Sequence, residues 1–515
     1  MKKILLLIFL LLTIDILAWD WWPLPIEQGV SYSDTLEYSV GLSVTAGSGK
    51  YNAFWLHNNQ HGCVSEAPYS GALNLLVEKR ANNHSRWYDY DFAVDVYGLV
   101  HSSLPNSVSQ TLKNFPIYQS AHFSSVLHRC YAHARLYVVD IAAGVMPVED
   151  GMGTILGTGS LLLSNNAASM PAIQIGINRW TAFPGLYGYM EIKGGLLHAW
   201  LTDDAYIRNT KLHYKHIGVQ FGGKLPVNIS YEFHHAAQWG GYSPDGKSLG
   251  NDWQAFYNAI MAKNGGDSFN EKYNAQGNHL GSQQIALTAK GNMWKAQVYW
   301  QNLLEDNFAF IGTGQNLPDG RWGIHLTQQK WPFLHSMTIE YVCTADQSGP
   351  THDQDGIIYA GNDNYYVNSI YRQGWNYYLR SLGTPLITSP IYNSNKYLQT
   401  TNNRVKVWHV GIAGDIFGFN YSFMGTHMHN YGCYNSNDWY TMISQNTSLL
   451  LSVDKHVKQA WGLQFGLRLA ADIGNQWGNQ FSAMLTIKKM GILTSSFDPC
   501  VLRAHHVQQR EELLR

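Results

Sequence analysis

The feature that most constrains this chain is a two-residue period, repeated in many segments of about ten residues. From Tyr88 onward the even positions read Tyr88, Tyr90, Phe92, Val94, Val96 and Val100, while the odd ones include Asp89, Asp91, Ala93 and Asp95. Successive side chains of an extended strand point to opposite faces, so this segment has one apolar face and one acidic face. The period returns in Ile229, Tyr231 and Phe233 against Ser230, Glu232 and His234, and in Trp294, Ala296, Val298 and Trp300 against Lys295, Gln297, Tyr299 and Gln301. It returns again along Trp461–Leu469 and Phe481–Ile487. Tyr or Trp often opens or closes the apolar row, as rings do at a water–lipid interface. A soluble sandwich or propeller also alternates but needs no interfacial rings. The pattern favours an all-β fold: a transmembrane antiparallel β-barrel of roughly 16 to 20 strands with folded extracellular loops.

The start of the chain agrees. Lys2 and Lys3 precede an apolar run from Ile4 to Leu12, and Ala18 stands just before a Trp/Pro-rich stretch. Residues 1–18 therefore read as a secretory signal peptide. No later stretch reaches the roughly 20 apolar residues that a spanning helix needs. Residues 19–497 are assigned to an outer-membrane barrel, and 498–515 to a polar C-terminal tail. A composition of 13% aromatic and 14% charged residues, with 48 Gly, suits strands better than helix surfaces. With 35 basic and 36 acidic residues there is no general pull toward nucleic acid, and none is expected as a partner. The five cysteines (Cys63, Cys130, Cys343, Cys433, Cys500) form no CxxC pair; they read as incidental, with one disulfide possible.

Signals for chemistry are weak. His234/His235 and His427/His429 lack the spacing of a metal site, and no HExxH occurs. Asp203/Asp204 and Glu305/Asp306 sit where strands end, and neighbours on an extended chain point apart, so they read as solvated turns. Neither a nucleophile elbow nor a phosphate loop is present in a strand-to-helix context. The expectation is a protein that is not an enzyme, with no catalytic residue, metal or cofactor.

Two long mixed stretches, Gly240–Ser282 and Thr344–Tyr371, read as outward loops. In the first, Asn251 or Asp252 is placed to cap a short helix through Trp253, Phe256, Ile260 and Met261, ended by Gly265 and Gly266. Flat rings stack on sugar faces while amide and charged neighbours bond hydroxyls. The candidate carbohydrate-binding residues are therefore Trp239, Tyr242, Trp253, Tyr365, Tyr366, Asn368 and Trp375.

Four stretches resemble the Wzi family of capsule assembly proteins, of the Bacteroidetes type. They are Phe54-Trp55-Leu56-His57-Asn58-Asn59-Gln60-His61-Gly62; Gln238-Trp239-Gly240-Gly241; Tyr365 to Trp375 running on to Arg380, Gly383, Thr384, Pro385 and Leu386; and the closing strands from Trp461 to Lys488. The resemblance implies an antiparallel outer-membrane β-barrel of about 18 strands, acting as a lectin that anchors or assembles capsular or extracellular polysaccharide at the cell surface; a monomer in outer-membrane lipid is expected. Trp19–Asp34, with Pro23 and Pro25, leaves little room for the N-terminal helical plug of some members. The alternative is a porin or substrate-specific channel, with Asp89, Asp91, Asp95, Glu232, Lys295 and Arg468 lining a water-filled path. Mixed signs in those rows, and loops apolar enough to fold over the mouth, lean toward the lectin.

Overall fold

The computed structural model describes residues 36–494, except 82–86, 103–122, 266–274, 306–315, 350–362, 394–397, 435–443 and 458–459. Residues 1–35, which include the expected signal peptide, and 495–515, which include the expected tail, lie outside it.

Thirteen strands follow one another: β1 (Leu36–Gly47), β2 (Tyr69–Lys79), β3 (Tyr88–His101), β4 (Phe123–Leu136), β5 (Val139–Met146), β6 (Met170–Ala182), β7 (Met190–Trp200), β8 (Lys211–Phe221), β9 (Val227–Trp239), β10 (Asn278–Gly291), β11 (Trp294–Leu304), β12 (Gly320–Gln328) and β13 (Ser336–Cys343). A two-residue pair, β14 (Asn376–Tyr377) and β15 (Arg380–Ser381), interrupts them. Five more follow: β16 (Val405–Ile416), β17 (Phe419–Asn430), β18 (Ser444–Val457), β19 (Leu463–Gly474) and β20 (Gln480–Thr494). All but β14 and β15 join one antiparallel sheet of 18 strands, each hydrogen-bonded to the next along the chain. The sheet closes where β20 pairs with β1, Leu42 opposite Ile487 and Val40 opposite Lys489. Closure leaves no edge strand with unpaired backbone groups, as hydrocarbon requires.

The alternation sorts the side chains as expected. Val40, Leu42 and Val44 on β1, Tyr90, Phe92 and Val94 on β3, Ile173 and Ile175 on β6, and Leu485 and Ile487 on β20 are all exposed on the outer face. Rings bound this belt at both ends. Trp87, Tyr137, Tyr187, Trp331, Phe333, Phe417 and Trp461 stand exposed along the short turns. At the other end Trp300 lies opposite Trp322, Trp322 opposite Tyr341, and Tyr341 opposite Trp408, a ladder of rings across four strands. The turn between β16 and β17 needs positive φ at both central residues, 53° at Phe417 and 71° at Gly418, the type I′ geometry that matches strand twist.

Connections at one end are short, such as 137–138, 222–226, 292–293 and 417–418, and β1 begins and β20 ends on that side. At the opposite end lie 48–68, 147–169, 240–277 and 344–404. Long loops of such barrels face outward. Three of these fold into the lumen. Phe54, Trp55 and Leu56 of α1 (Phe54–His57), Leu161–Leu163, and Tyr365, Tyr366, Trp375, Leu382 and Leu386 pack into one core against lumenal Ala199, Leu212, Ala236, Val407 and Met428. The outward half of the lumen is therefore an apolar core, where the period alone suggested only polar rows.

Glycine allows the closest approach. At Gly411 on β16 a Cβ would lie 2.3 Å from the carbonyl oxygen of Leu156, so the loop backbone rests on the bare wall there. Next to it His409 Nε2 is 2.6 Å from the same oxygen.

The expected helix exists. α2 (Trp253–Met261) is capped by Asp252, whose carboxylate accepts the Ala255 N–H at 2.8 Å. It ends at Ala262 in the left-handed region, ahead of Gly265. Cys63, Cys130, Cys343 and Cys433 are free thiols, so no disulfide joins them; Cys500 lies outside the described residues.

Candidate functional site

Charged and polar side chains fasten the plug to the wall and to itself. Glu340 on β13 accepts the Thr158 N–H at 2.6 Å and also the Tyr299 hydroxyl. Arg321 on β12, fully buried, donates to the carbonyls of Gly159 and Met152. Asp472 on β19 accepts the Phe54 N–H at 2.9 Å, holding α1 in place. Within the plug Arg380 pairs with Glu66 at 2.6 Å and donates to the carbonyls of His57 and Val64. His57 meets the Tyr392 hydroxyl; burial first, and the nearby Arg380 cation second, hold this imidazole neutral by lowering its pKa to about 3.

Three of the four stretches singled out in the sequence converge here. Gln238 donates to the Gly374 carbonyl at 3.2 Å, the Tyr371 hydroxyl to the Gly240 carbonyl at 3.1 Å, and Arg380 reaches the segment after α1. They are the parts from which the mouth is closed.

The seven candidate sugar residues divide. Tyr365, Tyr366 and Trp375 are wholly buried in the plug core, with the Tyr366 hydroxyl donating to the Leu161 carbonyl and the Trp375 indole to that of Leu162. Trp239 is buried on the outer wall beneath α2, its ring 5.3 Å from Phe256. These four present no ring face to a polymer in this conformation. Asn368 is half-buried, and its side chain caps the turn at Ile370 and Tyr371. Tyr242 and Trp253 are exposed.

Around Tyr242 the structure assembles a surface that sequence reasoning had missed. Tyr242 and Arg208 exchange backbone hydrogen bonds, Arg208 pairs with Asp204 at 3.0 Å, and the Arg372 guanidinium lies 5.3 Å from the Tyr206 ring centre. The connections 201–210, 240–250 and 364–375 thus form one rim patch of two rings, two guanidinium groups and a carboxylate. Rings offer stacking faces and the charged groups offer hydroxyl partners, a chemistry suited to carbohydrate. The signal lay in the adjacent acids: Asp204 pairs at the surface, while Asp203 is buried and accepts the Tyr378 N–H at 3.1 Å. Burial pushes the Asp203 carboxyl up to about 7.

On the short-turn side the lumenal rows pair with one another. Arg129 bridges Glu78 at 3.0 Å and Asp95 at 3.2 Å, Arg135 meets Asp89 at 2.8 Å, and Lys193 meets Glu232 at 2.6 Å. Neutralised pairs do not form the single-sign ring of a charge-selective pore. His234 and His235 point to opposite faces of β9, while His427 and His429 approach within 3.2 Å of each other. Among the described residues no group of three or more His, Cys, Asp or Glu is arranged to hold a metal ion.

The fold and this mouth define the class: a closed 18-stranded β-barrel of the outer-membrane type, its outward end filled by its own loops. Solved structures agree on the fold. The chain is similar to Wzi, an outer-membrane protein involved in group 1 capsule assembly in Escherichia coli and a carbohydrate-binding β-barrel, with 12% identity, a TM-score of 0.51, and 87% of this chain and 84% of that chain covered. It also overlaps OccD3 (OpdP) of Pseudomonas aeruginosa (10% identity, TM-score 0.44, 90% and 93% covered) and OccAB2 of Acinetobacter baumannii (9% identity, TM-score 0.45, 90% and 100% covered). No protein-family model matches the sequence, and no curated protein matches it.

Proposed function

We propose that this protein is an outer-membrane lectin that anchors or assembles capsular or extracellular polysaccharide at the cell surface, with residues 1–18 directing its export. The observation that carries the reading is the closed mouth. An aromatic and charged rim, formed by Tyr206, Arg208, Tyr242 and Arg372, stands beside a plug whose core is apolar, joined to it through Arg372. A pre-formed surface spends little binding energy on ordering loops. The barrel anchors that surface, and no catalytic group is assigned. The test separates cell-attached from released polysaccharide in cells deleted for the protein. A fall in attached polymer with a rise in released polymer supports the anchor. Unchanged polymer in both fractions overturns it.

A second reading, a substrate-specific channel, would use the lumen on the short-turn side, lined by paired polar groups such as Arg129 with Glu78 and Asp95, as a polar path without charge selectivity. It requires the plug to move. Steady ion conduction by the purified protein in planar bilayers would favour it.

A further inference from the structure

The outer wall of β7–β10 breaks the apolar rule near the long-loop end. Below, the wall is lipid-like, with Ile217 and Phe221 on β8 and Val227 and Ile229 on β9 exposed. Continuing along the same faces, these strands carry Lys211, His213, Lys215, His235 and His279 instead. Facing hydrocarbon, such charged and polar groups would be destabilising. α2 covers them. The Phe256 ring sits 5.5 Å from His198, 6.1 Å from His213 and 5.3 Å from Trp239, and Ala255 and Ala259 are buried beside Trp239. Lys211 donates to the Asn251 side chain at 2.6 Å, and Lys215 donates to the Ile260 carbonyl in the last turn, where a cation suits the helix dipole. This long loop is thus docked on the outside of the barrel, unlike the three that enter it.

The helix then turns a second face outward. Trp253, Tyr257 and Met261, spaced four apart, are all exposed, Trp253 at 77%. Lys263 flanks them, its ammonium 3.2 Å from the Tyr257 hydroxyl. An apolar row with Trp and Tyr beside a lysine is the composition of a helix lying in a membrane interface. Lys215, one step along the β8 outer face from exposed Ile217, holds the helix at Ile260, so the row lies alongside the exposed apolar belt of β8 and β9.

We propose that α2 is an in-plane interfacial helix whose Trp253–Tyr257–Met261 row inserts into the outer leaflet of the surrounding bilayer, sealing the polar dock on β7–β10 from lipid. Trp253 then serves the membrane, not a sugar.

The test uses the full-length protein in phosphatidylcholine vesicles. The chain has 18 tryptophans, so Trp253 is read as the difference in fluorescence between the wild type and Trp253→Phe. Heat-modifiable mobility on gels verifies that both are folded. Lipid brominated near the top of the acyl chain is expected to quench the difference signal about twofold, matching a depth of roughly 5–10 Å, while aqueous iodide leaves it largely intact. In the Trp253→Phe/Met261→Trp variant the reporter moves two turns along the helix, and the same quenching is expected. A signal insensitive to brominated lipid and quenched by iodide overturns the proposal. So does one shielded only when polysaccharide is added, or only when a second copy associates.

Discussion

Arg380 and Glu66 form an ion pair 2.6 Å long with both side chains almost completely buried, joining the connection 344–404 to the connection 48–68 inside the lumen. Two charges so removed from water hold only as a pair, and leaving one alone typically costs about 3–5 kcal/mol. Arg380→Met is therefore expected to loosen the plug while the barrel stays closed. The variant should keep heat-modifiable mobility, become sensitive to external protease between 48 and 68, and conduct ions in planar bilayers. Arg380→Met/Glu66→Leu removes both charges and should recover most of the protection. Equal sensitivity of single and double variants would mean that the pair is not what holds these loops.

Gly411 provides an independent route to the same state. A side chain there meets the Leu156 carbonyl at 2.3 Å from its first carbon, and Gly411→Val must displace the connection 147–169 from the wall. The expected result is increased conductance with little loss of barrel stability, because the strand pairing of Gly411 with Thr338 and Met424 uses backbone groups alone. Unchanged conductance would show that the lumen stays closed without this contact.

The barrel was legible because its rule is local. Each strand declares its faces in about ten residues, and Tyr88–Val100 or Phe481–Ile487 needs no distant partner to do so. The cap of α2 was legible for the same reason, since Asp252 bonds three residues away. The plug was not. Its contacts join Tyr366 to Leu161 and Trp375 to Leu162, more than two hundred residues apart, and no period marks them. A tyrosine with one polar handle suits a sugar face and a satisfied core equally well, so Tyr365, Tyr366 and Trp375 drew notice while their burial stayed hidden. The dock under α2 was hidden too, because nothing local to Lys211, His213 and Lys215 announces that a helix forty residues further on covers them.

Asp203 gives the mouth a pH dependence. Its carboxyl is raised to about 7 by burial, so the folded state holds a proton that the unfolded chain, near 3.8, has released at neutral pH. The stability this proton contributes is complete below pH 3.8 and is lost as pH rises through about 7. Between those two values each step of one in pH removes about 1.4 kcal/mol. Asp203→Asn keeps an acceptor for the Tyr378 N–H and carries no charge. It should match the wild type at acidic pH, below the unfolded value, and exceed it in thermal stability at alkaline pH, above the folded one, measured by tryptophan fluorescence in detergent. A variant less stable than wild type at the higher pH would contradict a proton held on this carboxyl.

The rim and the buried rings make opposite predictions, which separates binding from scaffolding. Tyr242 and Arg372 are exposed, and each would contribute one stacking face or one charged hydrogen-bond donor to a bound glycan. Such a contact contributes about 1 kcal/mol, so Tyr242→Ala or Arg372→Ala should weaken binding of the purified protein to the cell's own polysaccharide by roughly three- to tenfold. Thermal stability should barely change, since neither ring nor guanidinium closes the core. Trp375→Ala empties a fully buried site and should lower stability by about 3–5 kcal/mol, with binding lost only as the plug loosens. Measuring both quantities on all three variants decides between them. If Trp375→Ala abolishes binding in a protein that melts like the wild type, the buried face becomes the sugar site after a movement of the plug. If Tyr242→Ala and Arg372→Ala bind normally, the rim patch is not the surface that meets the polymer.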